Sequence, residues 1–155
     1  MKKKYFWVFF SLLICSCTYN FKGFSSRNIH SVAVPVFENK TSQPELESKL
    51  TKSVIDAFIQ DNRLKVLDKS NAESILTGEI LQYKREVFSY DDKESVKDYK
   101  IELMVKLTYK DKSDKVLLSK ELSDWHIYPI NETEESGIDA LCSKISLTIL
   151  KTVIE

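Results

Sequence analysis

Glycine is scarce in this sequence, with only three residues among 155. Phosphate-binding loops of the GxGxxG and P-loop kinds need glycines at fixed spacing, and neither pattern can be written anywhere in the chain. Nucleotide-binding proteins that depend on those loops are therefore excluded.

Cysteine and histidine are also rare, with three and two residues. Cys15 lies in a segment that we expect to be removed and Cys17 is expected to be acylated, so Cys142 remains the only thiol and no disulfide can form within one chain. His30 and His126 are far apart in sequence, and no CxxC or HxxxH motif occurs. We therefore predict no metal site and no cofactor.

The full sequence carries no net charge, because 23 Lys and Arg residues balance 23 Asp and Glu residues. Lys2, Lys3 and Lys4 belong to the segment predicted to be removed, which leaves 20 basic against 23 acidic residues, a net charge of −3. A slightly acidic chain has no bulk attraction for nucleic acid or for an anionic membrane surface. We predict no nucleic-acid partner.

The N-terminus has a basic start followed by an apolar run, MKKKYFWVFFSLLICSC. This order is typical of a secretory signal peptide, and the run is shorter than the roughly 20 apolar residues of a transmembrane helix. A retained transmembrane anchor is the less favoured alternative. The segment ends like a bacterial lipobox, with Ile14 at −3, Ser16 at −1 and Cys17 as the lipidated residue. Cys15 is a poorer acceptor because bulky Ile14 would stand at −1.

Three segments follow from this pattern: a lipoprotein-type signal peptide over residues 1–16, a lipidated N-terminus and polar tether over 17–30, and a single α+β domain over 31–155. Acyl chains on Cys17, palmitate among them, contribute about 0.8 kcal/mol of membrane affinity per buried CH₂. Two or three such chains anchor a protein without a spanning helix.

The first half of the domain predicts two short strands around a helix. Residues 31–37 form the first strand, with Val32, Val34 and Val36 on one face, and Pro35 favours a position at the sheet edge. The sequence SQPE at 42–45 has the form of a capping box before an amphipathic helix over 44–60. A short strand over 63–67 follows.

The second half predicts three longer strands and a second helix. The strands cover 75–88, with a bulge near Gly78, then 99–109 and 116–128, and a hairpin tip at 110–115 joins the last two. Alternation is clearest in the middle strand, whose buried face is expected to carry Tyr99, Ile101, Leu103, Val105, Leu107 and Tyr109. The second helix begins within 131–137. The fold class is α+β: a mostly antiparallel sheet of four to five strands with two helices packed on one face, a two-layer sandwich.

No residue pattern points to catalysis. Cys142 lies on the apolar stripe of the last helix and is expected to be buried, and His126 beside Trp125 is expected to be a partly exposed structural residue. The paired carboxylates have ordinary explanations: those at 91–92 lie in a solvated polar loop, and those at 134–135 lie at a helix start, where negative charge is favourable. The local basic groupings are Lys84–Arg85 and a tip with Lys110, Lys112 and Lys115, which protection of strand edges also explains.

The mature chain resembles the LPS-assembly lipoprotein family, LptE. The resemblance rests on Cys17 followed by Tyr19 and Phe21, the sequence VAVPVFENKT at 32–41, the helix after Pro44, the sequence LTGEI at 76–80 and the strand over 99–111. It implies a sheet with two helices packed on it and a non-enzymatic protein that is lipid-anchored at the periplasmic face of the outer membrane.

The same resemblance implies two partners. One is an LptD-type outer-membrane β-barrel, which family members plug and help to fold, and the other is lipopolysaccharide. Basic residues are expected to meet the phosphates of the lipid through charge-assisted hydrogen bonds. The family supplies no motif that assigns those positions, so the lipopolysaccharide-binding residues stay unassigned.

Two rival functions share the same anchor. A generic envelope lipoprotein would bind a small ligand or another envelope machine and would have no barrel partner. A periplasmic hydrolase would need a nucleophile and a base brought together, and nothing in the spacing supports one.

Overall fold

The structure, a computed structural model, describes residues 29–155. The predicted signal peptide over 1–16, the predicted lipidation site Cys17 and most of the predicted tether lie outside the described residues. Within residues 29–155, no helix combines the length and the apolar character needed to cross a membrane.

Six strands form one sheet and two helices pack on one of its faces. The sheet order is β3-β1-β4-β5-β6, and β2 pairs separately with β4. The predicted α+β two-layer architecture is confirmed. The strands are β1 (Ser31–Ala33), β2 (Glu38–Asn39), β3 (Lys65–Val66), β4 (Ser74–Tyr90), β5 (Val96–Asp111) and β6 (Val116–Pro129), and the helices are α1 (Leu46–Asp61) and α2 (Glu134–Ile154).

The sheet is mixed rather than purely antiparallel. The long strands β4, β5 and β6 are antiparallel neighbours, as predicted. The short strands add parallel pairs: β1 with β3, β1 with β4 and β2 with β4. The parallel pair of β1 and β3 follows from the connection through α1, since a helical crossover returns the chain in the same direction.

The core lies between the helices and the buried face of the sheet. The predicted alternation of β5 is confirmed from Ile101 to Tyr109, because every second side chain is buried and those between are partly exposed. The helices bury a matching stripe against this face. Its largest contributors are Leu46, Leu50, Val54, Phe58, Ile138, Leu141, Ile145 and Ile149.

The first strand differs from its prediction. β1 ends at Ala33, before Pro35, and lies between β3 and β4. The edge position inferred from Pro35 is therefore wrong, because the proline stands outside the ladder. Val36 is 70% exposed instead of sharing the buried face of Val32, since the alternation stops where the strand stops.

The predicted capping box before α1 is also wrong. Glu45 adopts a left-handed conformation with φ 64°, and no side chain caps the helix there. Asn39 organises the preceding turn instead. Its Oδ1 accepts a hydrogen bond from the Thr41 amide at 2.9 Å, and its Nδ2 donates to the Gln43 carbonyl at 2.7 Å and to Glu47 Oε2 at 2.8 Å.

The bulge in β4 lies at Leu81, not near Gly78. The register with β5 is continuous from Ser74 to Ile80 and shifts between Ile80 and Gln82. The absence of a side chain at Gly78 makes room for Phe37, since a Cβ at this position would lie 2.5 Å from the Phe37 ring. The extra residue at Leu81 reverses the side-chain alternation of the strand, because each strand residue points to the opposite face from its neighbour.

Candidate functional site

The bulge places a charged residue on the helix-covered face of the sheet. Arg85 stands directly opposite buried Ile101, so it lies on the face that carries the core. A guanidinium group that is partly removed from water gains from partners of its own. These partners come from β5, β6 and the first turn of α2.

Arg85 makes three contacts at this end of the sheet. Its Nε donates a hydrogen bond of 2.7 Å to Tyr128 Oη, and its guanidinium carbon lies 3.8 Å from the centre of the Tyr99 ring. Nε also lies 3.4 Å from Glu134 Oε2. Tyr83 Oη donates to the other carboxylate oxygen of Glu134 at 2.7 Å. We call these five residues the tyrosine–arginine cluster.

The aromatic rings hold the guanidinium in a fixed orientation. Tyr99 and Tyr128 are stacked with their ring centres 5.7 Å apart. A cation over an aromatic face gains electrostatic attraction from the ring, on the order of 0.5–2 kcal/mol. The cluster is therefore preorganised, with the position of Arg85 set before any ligand arrives.

The protonation states of the cluster keep Arg85 charged. The hydrogen bond to Tyr128, opposed by partial burial, raises the pKa of Arg85 above its usual value. Burial and the hydrogen bond to Glu134 raise the pKa of Tyr83, so its phenol stays neutral and remains a donor. The side chain of Arg85 is 39% exposed, so it can still be reached from solvent.

The start of α2 fits closely beside the cluster. Thr133 Oγ1 accepts a hydrogen bond of 3.2 Å from the Ser136 amide and caps the helix. A Cβ at Gly137 would lie 2.7 Å from the Tyr128 ring, so only glycine allows the helix to approach that ring without displacement. This approach places Glu134 within reach of Arg85.

Exposed apolar side chains lie at the same end of the sheet as the tyrosine–arginine cluster. Val87, Phe88, Tyr90 and Ile130 are between 38% and 62% exposed, and we call them the apolar rim. Val87 pairs with Tyr99 of the cluster, and the Ile130 amide donates to the Lys97 carbonyl of β5. A group of large exposed apolar side chains is typical of an interaction surface.

The structure separates the two basic groupings that the sequence indicates. Lys84 and Arg85 point to opposite faces, and Lys84 Nζ pairs with Glu86 Oε2 at 2.6 Å on the open face. Lys110, Lys112 and Lys115 belong to the hairpin at the other end of the sheet, where Lys110 Nζ lies 3.4 Å from Asp114. Only Arg85 of these residues joins an aromatic and apolar surface.

The other singled-out residues have structural surroundings. Cys142 is buried, as predicted, and burial raises the pKa of its thiol to about 12. His126 is partly exposed on β6, as predicted. Glu135 and Asp139 both pair with Lys49 of α1, at 2.9 and 2.8 Å, and so fasten the two helices together. Across residues 29–155, no group of three or more His, Cys, Asp or Glu side chains is placed to hold a metal ion.

Sequence reasoning missed the tyrosine–arginine cluster. Its members come from four elements, and their meeting depends on strand register. Glu134 was assigned only to the helix start, although it also pairs with Arg85 and Tyr83. The sequence does contain one indication of Arg85. Tyr83, Arg85 and Val87 alternate along the strand, and a charged residue stands where the pattern expects an apolar one.

A model of the family described as LptE, lipopolysaccharide-assembly, matches residues 29–144. No curated protein gives a significant match to the sequence.

Solved structures share the fold at low identity. A hypothetical protein from Chlamydia trachomatis is 11% identical with a TM-score of 0.60, over 81% of this chain and 95% of that one. Uncharacterized lipoprotein B from Nitrosomonas europaea is 17% identical with a TM-score of 0.53, over 81% and 82% of the two chains. A PelC dodecamer from Paraburkholderia phytofirmans is 15% identical with a TM-score of 0.54, over 76% and 86%.

Proposed function

Because the chain belongs to the LptE lipopolysaccharide-assembly family, we propose that it is a lipid-anchored protein at the periplasmic face of the outer membrane. It plugs an LptD-type β-barrel, supports the folding of that barrel and assists lipopolysaccharide assembly. Cys17 carries the acyl chains. The protein acts by binding and not as an enzyme.

The observation that carries this proposal is the juxtaposition of Arg85 with the apolar rim. Lipopolysaccharide is an amphiphile with phosphate groups beside acyl chains. A guanidinium group suits phosphate because its donors form a planar fork. The apolar rim begins at Val87, two residues further along β4, and supplies a surface for the adjoining hydrocarbon.

Arg85 can engage a phosphate without leaving Glu134 unpaired. Tyr83 holds one carboxylate oxygen of Glu134 at 2.7 Å, whereas the contact of Arg85 with the other oxygen is longer, at 3.4 Å. An anion that binds the solvent-exposed side of the guanidinium competes with the longer Glu134 contact, and the carboxylate then keeps the Tyr83 hydrogen bond and access to water. Lys84 is the poorer candidate because its ammonium group is paired with Glu86 on the open face.

Binding of purified lipopolysaccharide to the full-length protein in detergent tests this assignment. Arg85→Gln keeps the first two methylene groups of the side chain and removes its charge. We expect it to weaken binding about tenfold or more, since a hydrogen bond to a charged group contributes about 1.5–3 kcal/mol. The matched control is Lys84→Gln, which removes a neighbouring charge from the open face and is expected to leave affinity within about twofold.

Circular dichroism of both variants checks that the fold is intact. An equal loss of affinity in the two variants, or none in Arg85→Gln, would contradict the assignment to Arg85.

The barrel partner is tested by a mild-detergent pull-down of the tagged full-length protein from its native envelope, with Cys17→Ala as the control. Recovery of a large β-barrel in a stoichiometric amount supports the plug function. A chain that comes down alone, or with a different partner, favours a generic envelope lipoprotein that binds a small ligand or another envelope machine.

A further inference from the structure

β6 is a long strand at the edge of the sheet. It runs from Val116 to Pro129 and pairs with β5 on one side. On its other side, no strand within residues 29–155 pairs with it. In an antiparallel ladder, alternate residues of an edge strand direct both backbone groups away from the sheet.

Three hydrogen bonds identify the outward-directed residues. Lys144 Nζ, from α2, donates to the Trp125 carbonyl at 3.1 Å. The Thr108 carbonyl of β5 points toward β4, where it accepts a hydrogen bond of 3.2 Å from Thr77 Oγ1. Thr108 stands opposite Ser119, so the Ser119 backbone faces away from β5. The Ile130 amide donates to the Lys97 carbonyl of β5, so the backbone of Ile130 faces β5. This bond gives the same pattern as the other two: even-numbered residues of β6 face β5, and odd-numbered residues face away. The outward row is Ser119, Glu121, Ser123, Trp125 and Ile127.

A lysine near the middle of this edge restricts what can pair with it. Lys120 lies on the helix-side face of β6, opposite buried Leu107 of β5. A lysine on an edge strand discourages pairing with an arbitrary strand. An added strand must therefore bring a carboxylate opposite Lys120.

We propose that β6 pairs antiparallel with β6 of a second copy of this chain, around a two-fold axis at Leu122. In this register Lys120 of each copy faces Asp124 of the other. Glu121 faces Ser123 and Ser119 faces Trp125, so members of the outward row meet one another and exchange N–H and C=O hydrogen bonds. The sheets of the two copies join into one, with all helices on the same face.

Charge selects this register among its neighbours. An axis at Lys120, Glu121 or Asp124 would set that residue against its own copy, and like charges directly opposite are destabilising. An axis at Ser123 would place Lys120 opposite His126 and leave Asp124 against Leu122. Of these axes, only Leu122 matches Lys120 with Asp124.

In the single chain, Lys144 occupies acceptors at the β6 edge. Its Nζ lies 2.6 Å from Asp124 Oδ1, the carboxylate that the proposed pairing uses, and also occupies the Trp125 carbonyl. Pairing requires Lys144 to release both groups, and it requires the Trp125 amide to release Asp124 Oδ1, to which it donates at 2.8 Å. Self-association and the Lys144 contacts therefore compete for the same two acceptors.

The test is the dissociation constant of the full-length lipoprotein in detergent, measured by sedimentation equilibrium. Lys120→Glu is expected to weaken self-association about tenfold, because two symmetric cross-strand pairs change from opposite to like charge. Asp124→Lys should act similarly, and the double variant Lys120→Glu/Asp124→Lys should recover most of the affinity. Lys144→Met should strengthen association, since it frees the Trp125 carbonyl and removes the Lys144 ion pair from Asp124.

Lys115→Glu is the matched control, because it makes the same charge change just outside β6 and is expected to leave the constant unchanged. Lys120→Glu touches none of the Lys144 contacts, so its result stands even if Asp124→Lys alters the fold. A wild-type chain that stays monomeric at all concentrations overturns the proposal, as does a dimer that is indifferent to the charges at 120 and 124. Neither result decides the plug function, because the dissociation constant is measured on the purified chain and the barrel is tested by the separate pull-down.

Discussion

At the scale of single residues, the contact of Phe37 with Gly78 limits what the sheet tolerates. The ring occupies the space that a side chain at 78 would need, at 2.5 Å from the Cβ position. Gly78→Ala is expected to destabilise the protein by about 1–3 kcal/mol, because ring atoms held in a packed core cannot move aside without strain. Urea unfolding followed by circular dichroism measures the change.

A double-mutant cycle with Phe37→Ala isolates the cause. Once the ring is gone, Gly78→Ala has little left to displace, so the two costs are expected to be less than additive. Strict additivity would show that the strain arises somewhere other than the Phe37 ring.

Cys142 supplies a second prediction at this scale. Burial raises its pKa to about 12 from an ordinary 9.0, so the thiol stays protonated in the folded chain at pH 8. In a Cys15→Ser/Cys17→Ser chain, alkylation of Cys142 is expected to occur only at the rate of unfolding. Val116→Cys in the same background is the exposed control and should react at once.

The sign of the pH dependence follows from the same shift. The contribution of Cys142 to the free energy of unfolding is fully present below pH 9.0, where the unfolded thiol is protonated. It is lost as the pH rises from there to about 12, since the unfolded thiol ionises first. A Cys142→Ala chain should lack this part of the alkaline decline, and rapid alkylation of folded wild type would contradict the burial.

Residue-scale predictions from sequence succeeded where a residue lies inside a regular element. Cys142 was predicted to be buried from the stripe of α2, and it is. Val36 was predicted to share the face of Val32 and does not, because the strand ends between them. Arg85 could be noticed as a charge in an apolar series, but its partners Tyr99, Tyr128 and Glu134 are set by register.

At the scale of elements, the two helices begin differently. α2 has Thr133 as a side-chain cap, whereas α1 starts after Glu45, which is left-handed and makes no side-chain cap. Glu45→Gly is expected to stabilise the protein by up to about 1 kcal/mol, because glycine adopts φ 64° without a clash of Cβ. Thermal unfolding measures the gain.

Lys52→Gly is the matched control for that change. It introduces the same residue into the exposed interior of α1, where glycine costs about 1 kcal/mol relative to alanine. Opposite signs for the two glycine variants are expected. A loss of stability in both would mean that the Glu45 side chain matters more than its backbone strain.

Periodicity predicted the elements better than their ends or their pairing. The alternation of β5 and the stripes of both helices follow from local sequence, because burial on one face selects apolar residues at a fixed period. The parallel pairs of β1 with β3 and β4 depend on contacts between distant segments. The capping box predicted at 42–45 does not form. The turn before α1 is held instead by the Asn39 side chain, which makes hydrogen bonds with three nearby residues.

At the scale of the whole molecule, the prediction concerns the anchor. Cys17→Ala is expected to abolish incorporation of labelled palmitate and to reduce the amount of the protein in the outer-membrane fraction. The reason is that acyl chains on Cys17 are the proposed source of membrane affinity. Fractionation and palmitate labelling measure both effects.

Cys142→Ser is the control for the anchor, because it removes the other thiol that processing would leave. It should keep both the label and the membrane fraction. A wild-type chain that carries no palmitate and keeps residues 1–16 would support the alternative of an uncleaved N-terminal anchor.

The extra residue at Leu81 also affects how relatives of this chain are aligned. On the amino side of the bulge, even-numbered residues of β4 face the helices, and from Tyr83 to Val87 on the carboxyl side, odd-numbered residues do. An alignment that treats β4 as one uninterrupted alternating strand would match Lys84 or Glu86 to the position of Arg85. A relative without the bulge needs a one-residue gap near Leu81, and its counterpart of Arg85 is found by its pairing with the counterpart of Ile101 on β5.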